Sequence, residues 1–234
     1  MVTGVGAAKR SFRGHTFLVP DDHFVINSAD DEVEIRENFW DPKPGEVVID
    51  VGAQYGSYTY TALACGATVI AVEPNPKNVP WLRRGLDLNG WSAPRAQIMQ
   101  GAIWKADSPY PEELRWTVTE GSGDRPGQEP SDFAQVRMWT LDELVGELNL
   151  PRVDWVKVDV EGVELGVIES GWETLQRFRP TLLIEDHTTI YPYCTEILSA
   201  KRLMSLLLYF PYRVTIARYL TRDVLVAVPE KLPR

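Results

Sequence analysis

The sequence predicts a doubly wound α/β fold: a mostly parallel sheet of seven strands with helices on both faces, an antiparallel edge strand, and a short N-terminal β-hairpin extension. Three observations predict it. VVIDVG is a near-continuous apolar run with the texture of a strand buried on both faces, TVIAVEP and VDWVKVDV read as further buried strands, and QIMQGAIW and TLLIEDH as two more strands. Segments with helical periodicity separate most of these runs, so the connections are right-handed crossovers. Four of these runs, all but QIMQGAIW, also carry acidic residues toward their carboxyl ends.

Taken in order, HTFLVP and HFVINS read as a hairpin about the turn signal Asp21-Asp22. An acidic stretch, ADDEVEIRENFWD, follows, and Pro42, Lys43, Pro44 and Gly45 mark a turn. These observations suggest an N-terminal hairpin or cap over residues 1–40 and a main domain over 41–234. In the main domain VVIDVG is a buried strand, and SYTYTALACG is a helix with Gly66 as its stop. TVIAVEP is the second strand, NVPWLRRGLDLNG a helix ending at Asn89 and Gly90, and QIMQGAIW the third strand. Residues 107–135 form a polar insertion rich in Gly, Pro, Ser and Glu, with an irregular hairpin of LRWTVTEGSGDR and AQVRMW. It is read either as a surface insertion or as a lid. TLDELVGELNL is a helix opened by Thr140, with Glu143 as capping-box partner. VDWVKVDV is the fourth strand, GVELGVIESGWETLQRF one helix closed before Pro180, and TLLIEDH the fifth strand. TEILSAKRLMSLLLYF carries a helical apolar stripe, and YRVTIARY and DVLVAVPE close the chain as an antiparallel pair.

Composition narrows the function. The chain has 234 residues, a formal net charge of -9 and 44% hydrophobic residues, which is ordinary for a globular domain with a real core. The two cysteines, Cys65 and Cys194, exclude a disulfide scaffold and a cysteine-built zinc site. The densest apolar stretch, around Leu203 to Phe210, is too short to cross a bilayer, so no membrane partner is expected. The N-terminus has no apolar run behind its basic residues, and a cytoplasmic location is the expectation. The acidic balance argues against a nucleic-acid partner.

In such a sheet ligands sit beyond the carboxyl ends of the strands. The first strand ends in Asp50-Val51-Gly52-Ala53-Gln54-Tyr55-Gly56, whose glycines permit a tight turn and close approach of a ligand to the backbone. The dinucleotide fingerprint is not met: Asp50 replaces its first glycine and the last gap is one residue longer. An aspartate there repels a pyrophosphate but suits a phosphate-free cofactor with a positive centre, and S-adenosylmethionine fits that description. Glu73 ends the second strand and can accept both hydroxyls of a ribose, while Asn75 and Pro76 continue the turn. Gly101 and Ala102, beside Ile103 and Trp104, suit a flat adenine slot or plain core.

The fourth strand runs out through Lys157-Val158-Asp159-Val160-Glu161-Gly162-Val163-Glu164, and the fifth through Glu185-Asp186-His187. Clustered carboxylates repel one another unless they bind a cation or share a proton, so Asp159, Glu185 and Asp186 are candidate ligands of a hard ion such as Mg2+. Glu164, in a first helical turn, is also what the helix dipole favours. His187 is a candidate general base, with Glu161, Glu185 and Lys157 as competitors. The candidate catalytic set is therefore His187, Asp159 and Glu161.

Three motifs together resemble the FkbM family of S-adenosylmethionine-dependent methyltransferases: VVIDVGAQYGSYT, AVEPNP, and TLDELVGELNLPRVDWVKVDVEGVELGVIESG followed by RPTLLIEDH. The resemblance covers roughly residues 30–228. It implies a Rossmann-like seven-stranded class I methyltransferase domain and methyl transfer to an oxygen on a sugar or natural-product scaffold. By motif it implies that Asp50, Gly52 and Gly56 form the cofactor loop and that Glu73 holds the ribose, with Ala53 and Asn75 as further candidate cofactor-binding residues in the same turns. Gly101 and Ala102 would border the adenine. Asp159, Glu185 and Asp186 stand at strand ends similar to those bearing the metal ligands of catechol-type O-methyltransferases, although Gly162 replaces those enzymes' lysine. Gln54 and Tyr55 depart from the family's usual Asn-Ile/Val, while the glycines are kept.

The expected function is O-methylation of a small hydroxylated molecule in natural-product or sugar chemistry, with a homo-oligomer left open. A catalytically inactive binding or scaffold domain is the alternative, and an NAD-dependent oxidoreductase the next. Trp104, Trp116, Trp139 and Tyr191-Pro192-Tyr193 are read as acceptor-pocket aromatics or as core.

Overall fold

A computed structural model describes residues 6–30, 32–104, 115–117, 133–187, 205–207, 209–219 and 222–230. The chain divides into two compact units, residues 1–102 with 111–137, and residues 103–110 with 138–234.

The first unit opens with a hairpin of β1 (Ala7–Phe12) and β2 (His15–Pro20), antiparallel with Phe12 opposite His15. Its turn is Arg13-Gly14, and both residues have positive φ, 46° and 80°, as a two-residue turn of right-handed twist requires. This corrects the expected hairpin about Asp21-Asp22, because HFVINS lies in helix α1 (His23–Asp30) instead. The physical reason is that Asp22 starts a helix. Its Oδ1 accepts the Phe24 N–H at 2.9 Å and its carbonyl accepts the Ile26 N–H at 2.9 Å. The acidic stretch after it holds a second helix, α2 (Val33–Phe39). Trp40 follows, fully buried, and its indole N–H donates to Thr61 Oγ1 at 3.1 Å.

Strand β3 (Val47–Val51), helix α3 (Ser57–Ala64), β4 (Thr68–Glu73), α4 (Val79–Leu88) and β5 (Ala96–Ile103) then alternate as expected. β4 lies parallel to both β3 and β5, with Asp50 opposite Ala71 and Glu73 opposite Gln100. All five residues of β3 are buried, and so are five of the six in β4. This continuous burial is why both read as unbroken apolar runs. β6 (Arg115–Thr117) and β7 (Phe133–Gln135) pair as a short antiparallel hairpin. Most of the 107–135 insertion, and with it the lid reading, lies outside the described residues.

β8 (Arg137–Trp139) is a further short strand. In the second unit the Trp104 N–H donates to the Trp139 carbonyl at 2.7 Å. Helix α5 (Leu141–Glu147) begins with the anticipated capping box. Thr140 Oγ1 accepts the Glu143 N–H at 3.0 Å, and Glu143 accepts the Thr140 N–H at 2.7 Å. β9 (Trp155–Val158) runs parallel to β10 (Thr181–Asp186). β12 (Arg222–Pro229) is antiparallel to β10, and β11 (Tyr212–Tyr219) antiparallel to β12.

The expected single helix after β9 is two: α6 (Glu164–Glu169) and α7 (Trp172–Phe178). The break is at Ser170-Gly171, where α5 docks. Ser170 Oγ accepts the Leu141 N–H at 3.0 Å, and a Cβ on Gly171 would sit 2.5 Å from Leu141 Cδ2. Asp142 then caps the new helix, accepting the N–H groups of Glu173 and Thr174 at 3.0 and 2.8 Å. The stripe TEILSAKRLMSLLLYF lies mostly outside the described residues. No helix among the described residues is long and apolar enough to cross a membrane.

Because Thr140 holds the first turn of α5, Thr140→Ala is expected to lower global stability by about 1 kcal/mol in urea unfolding, with Thr140→Ser close to wild type.

Candidate functional site

In the first unit the loop after β3 is held by the carboxylate that ends β4. Gly52 and Ala53 both donate to the Val72 carbonyl at 3.0 Å, which folds the loop back onto β4. Glu73 Oε2 accepts the Gln54 N–H at 2.7 Å. Its Oε1 accepts the Asn75 N–H at 2.9 Å and the Asn78 side-chain amide at 3.1 Å. Glu73 is buried, and its charge is met by donors in fixed positions.

Three loop residues have positive φ: Gly52 at 77°, Gln54 at 49° and Gly56 at 94°. Gly56 is doubly constrained, because a Cβ there would meet Leu82 Cδ1 at 2.6 Å and the Tyr60 ring at 2.7 Å. Asp50 is fully buried beneath the loop and accepts a bond from Thr59 Oγ1 at 2.6 Å, which fastens β3 to α3. Asn75 is buried at the β4 turn and its Oδ1 accepts the Lys77 N–H at 2.9 Å. Gly101 and Ala102 are buried near the end of β5. Asp50 and Glu73 thus stand on adjacent parallel strands, and the loop between them is closed by Glu73 itself.

Helix α1 adds contacts that sequence patterning did not suggest. Ser28 Oγ donates to Gln54 Oε1 at 3.3 Å, and Phe24 stacks on Tyr55 with ring centroids 6.5 Å apart. Reading HFVINS as a strand hid this, and the Asp22 cap was the available signal.

The second unit gathers acids around one histidine. Asp159 is the first residue past β9, and His187 the first past β10. His187 is 1% exposed. Its Nδ1 lies 2.8 Å from Glu164 Oε1, which also accepts the Gly162 N–H at 2.9 Å. Nε2 faces three more carboxylates: Glu185 Oε1 at 3.3 Å, Glu161 Oε2 at 3.6 Å and Asp159 Oδ1 at 3.8 Å. Lys157, also buried, donates to the other oxygen of Asp159 at 3.1 Å. Glu161 is held at φ 56°, a left-handed conformation uncommon outside glycine.

The structure therefore brings His187 together with Asp159, Glu161 and Glu185. Asp186 is the next residue along β10, and successive strand residues face opposite sides. The set whose ligand atoms lie within 4.8 Å of one another is Asp159, Glu161 and His187. Glu164 is the residue whose part the sequence understated. Its place in a first helical turn explained it fully there, but its side chain grips the imidazole. Trp104 and Trp139 are both buried as core. Tyr191-Pro192-Tyr193 and the Trp116 side chain lie outside what is described.

Burial alone would lower the His187 pKa. The Glu164 hydrogen bond and the charges of Asp159, Glu164 and Glu161 outweigh it, and the pKa is raised to about 9. At neutral pH the imidazole of the metal-free protein is protonated. A folded pKa above the unfolded value near 6.5 stabilises the fold fully below pH 6.5, and that contribution is lost as pH rises through about 9. Urea midpoints in chelator should fall across that window for the wild type, and a Glu164→Gln variant should flatten the fall. An imidazole NMR titration midpoint below 7 would contradict the assignment.

The chain is similar to several known proteins. The methyltransferase FkbM domain family matches residues 50–210. A hexuronic acid methyltransferase, AglP of Haloferax volcanii, is 30% identical over 174 residues, 68% of this chain and 63% of that protein. The chain thus covers just under two thirds of that relative's length. Among solved structures, a methyltransferase FkbM from Methylobacillus flagellatus superposes with a TM-score of 0.52 at 18% identity, over 78% of this chain and 43% of that one. TYW2 of P. horikoshii, in complex with MeSAdo, superposes with a TM-score of 0.50 at 13% identity, over 94% and 69%. At these identities the superpositions speak for the fold. The family match speaks for descent: this chain belongs to the FkbM methyltransferase domain family.

Proposed function

We propose that the protein is an S-adenosylmethionine-dependent O-methyltransferase acting on a hydroxyl of a small molecule, a sugar or a natural-product scaffold. The observation that carries this reading is the loop after β3, closed by the Glu73 carboxylate with the buried Asp50 beneath it. A pyrophosphate seeks bare amides and positive charge at such a loop. Here the amides of Gln54 and Asn75 are already given to Glu73, and the charge below is negative. A phosphate-free nucleoside carrying a sulfonium meets no such conflict. The hexuronic acid relative favours a sugar acceptor.

In this reading the main chain of Gly52, Ala53 and Gly56 lies against the donor, and Glu73 accepts from its ribose. Asn75 shapes the same turn, and Gly101 and Ala102 leave room for the adenine. Asp159, Glu161 and His187 are the candidate groups for the acceptor hydroxyl's proton. The S–CH3 bond breaks with its electron pair going to sulfur, the new C–O bond forms from the acceptor oxygen, and the hydroxyl proton leaves to a base. A protonated imidazole cannot be that base at neutral pH. In the metal-free protein the proton therefore goes to Asp159 or Glu161, and His187 stabilises the oxygen as negative charge develops on it. Where a divalent ion is bound, it would supply Lewis-acid help to the same oxygen. Holding donor and acceptor in line supplies much of the rate.

Calorimetry should detect binding of S-adenosylmethionine or its demethylated product. Glu73→Ala should weaken it by about 1–3 kcal/mol, roughly 5- to 160-fold, with Glu73→Gln intermediate. Binding of NADH with no response to the methyl donor would replace this reading with the oxidoreductase one.

A further inference from the structure

We propose that Asp159, Glu161 and His187 form a binding site for a divalent first-row transition-metal ion, with Glu164 orienting the imidazole from behind. The proposal deepens the methyl-transfer reading by giving the acceptor site a Lewis acid, but it is built on residues of the second unit alone. It also differs from the magnesium set that strand-end carboxylates suggest, Asp159, Glu185 and Asp186, because the His187 nitrogen and Glu161 take the places of both β10 carboxylates.

Distance comes first. His187 Nε2 stands 3.6 Å from Glu161 Oε2 and 3.8 Å from Asp159 Oδ1. Both separations are too long for N–H···O hydrogen bonds, which close to about 2.7–3.2 Å. They are near the edge of a tetrahedron around an ion, since bonds of about 2.1 Å put ligand atoms about 3.4 Å apart. The remaining few tenths of an ångström fall to the two side chains that can adjust. Asp159 and Glu161 are 24% and 29% exposed, whereas His187 is fixed in the interior. That partial exposure also leaves the ion a route in and a coordination position for a substrate oxygen.

Orientation comes next. A ligating histidine usually donates its second ring N–H to a carboxylate, which fixes the tautomer and makes the free nitrogen a better ligand. Glu164 supplies this at Nδ1, 2.8 Å away, and Gly162 in turn holds Glu164. Nε2 is thereby the nitrogen presented to Asp159 and Glu161. The other Glu164 oxygen is buried without a hydrogen-bond partner, an expensive arrangement that a nearby cation offsets.

Charge decides between an ion and the imidazolium alone. Asp159, Glu161, Glu164 and Glu185 face the ring with four negative charges, and Lys157 lies on Asp159. With His187 protonated the cluster keeps two net negative charges, and with a divalent ion on a neutral His187 it keeps one. Lys157 need not move, because it holds the Asp159 oxygen that does not face Nε2. An imidazole among carboxylates suits Mn2+, Co2+ or Zn2+ over Mg2+, which prefers all-oxygen, water-rich shells.

The test uses the full chain stripped with chelator and titrated with Co2+, read by its visible d–d absorption, and with Zn2+ and Mg2+ by calorimetry. We expect one equivalent of Co2+ or Zn2+, bound at least tenfold more tightly than Mg2+. Asp159→Asn and Glu161→Gln should each weaken binding tenfold or more, and Glu164→Gln about tenfold. Glu37→Gln, an exposed acid of the first unit, should leave it unchanged. Circular dichroism confirms that each variant is folded, and the partly exposed Glu161 keeps the test decisive if His187→Gln does not fold. The proposal is overturned by the absence of saturable one-equivalent binding, by Mg2+ matching Zn2+, or by a folded Glu161→Gln that binds as wild type. Calorimetry with S-adenosylmethionine on the same samples separates the two claims. Donor binding without metal uptake removes only the metal site, and metal uptake without donor binding removes only the methyl-transfer reading.

Discussion

The carboxylate of Glu73 is the point on which the first unit turns. It sits at the end of a strand that is otherwise wholly apolar past its first residue, and it is itself buried. A buried carboxylate is costly unless its oxygens are met by donors, and each charged hydrogen bond contributes about 1.5–3 kcal/mol. Two backbone amides and the Asn78 side chain meet it here. Because one of those amides belongs to Gln54, the same charge that ends β4 fixes the turn after β3. The left-handed residues of that turn are consequences. With Gln54 pinned to Glu73 and Gly52 and Ala53 to Val72, the chain has few ways to reach α3, and those it has pass through positive φ. Gly56 must then be glycine for packing as well as conformation, since Tyr60 and Leu82 fill the space a side chain would need.

The second unit follows the opposite logic. Negative charge there is concentrated around one weak base rather than dispersed among amides. His187 is lifted against the effect of its own burial, and Glu164 is what makes this work, a buried acid bonded directly to the ring. Glu164 is placed by the short α6, and α6 is short because α5 docks on Ser170 and Gly171.

How much of this could be read beforehand follows from which forces are local. Strands β3, β4, β9 and β10 were legible because burial on both faces leaves an apolar run, whereas β5 is partly exposed between Gln97 and Gln100. The α5 capping box was legible because its two bonds lie within four residues. The N-terminal hairpin was displaced by one element because Asp21-Asp22 satisfies a turn and a helix cap equally well, and only the Ile26 bond distinguishes them. The α6–α7 break was invisible because its cause, Leu141, lies about thirty residues upstream. AQVRMW was read as one run of the insertion's hairpin, whereas it divides between β7 and the separate three-residue β8. At the site, the residue types at strand ends were legible but their pairing was not. Alternation along β10 puts Glu185 and Asp186 on opposite faces, so two adjacent acids that read as a pair cannot act as one. Glu161 gained its place through a left-handed backbone that no pattern of residue types announces.

Electrostatics also bears on how the proposed reaction could be fast. Transfer of the methyl group turns a sulfonium into a neutral thioether, so any anion that holds the sulfonium tightly stabilises the starting state more than the transition state and slows the step. A bare aspartate under the donor would do this. Asp50 is instead fully buried and bonded to Thr59, so its field is partly met before any cofactor arrives. It is suited to rejecting phosphate without clamping the sulfonium. The positive charge useful to the reaction belongs at the acceptor oxygen, where negative charge grows as the proton departs. An acidic protein can therefore carry out a reaction of cations, provided its anions are occupied where the cation starts and open where the oxygen's proton must go.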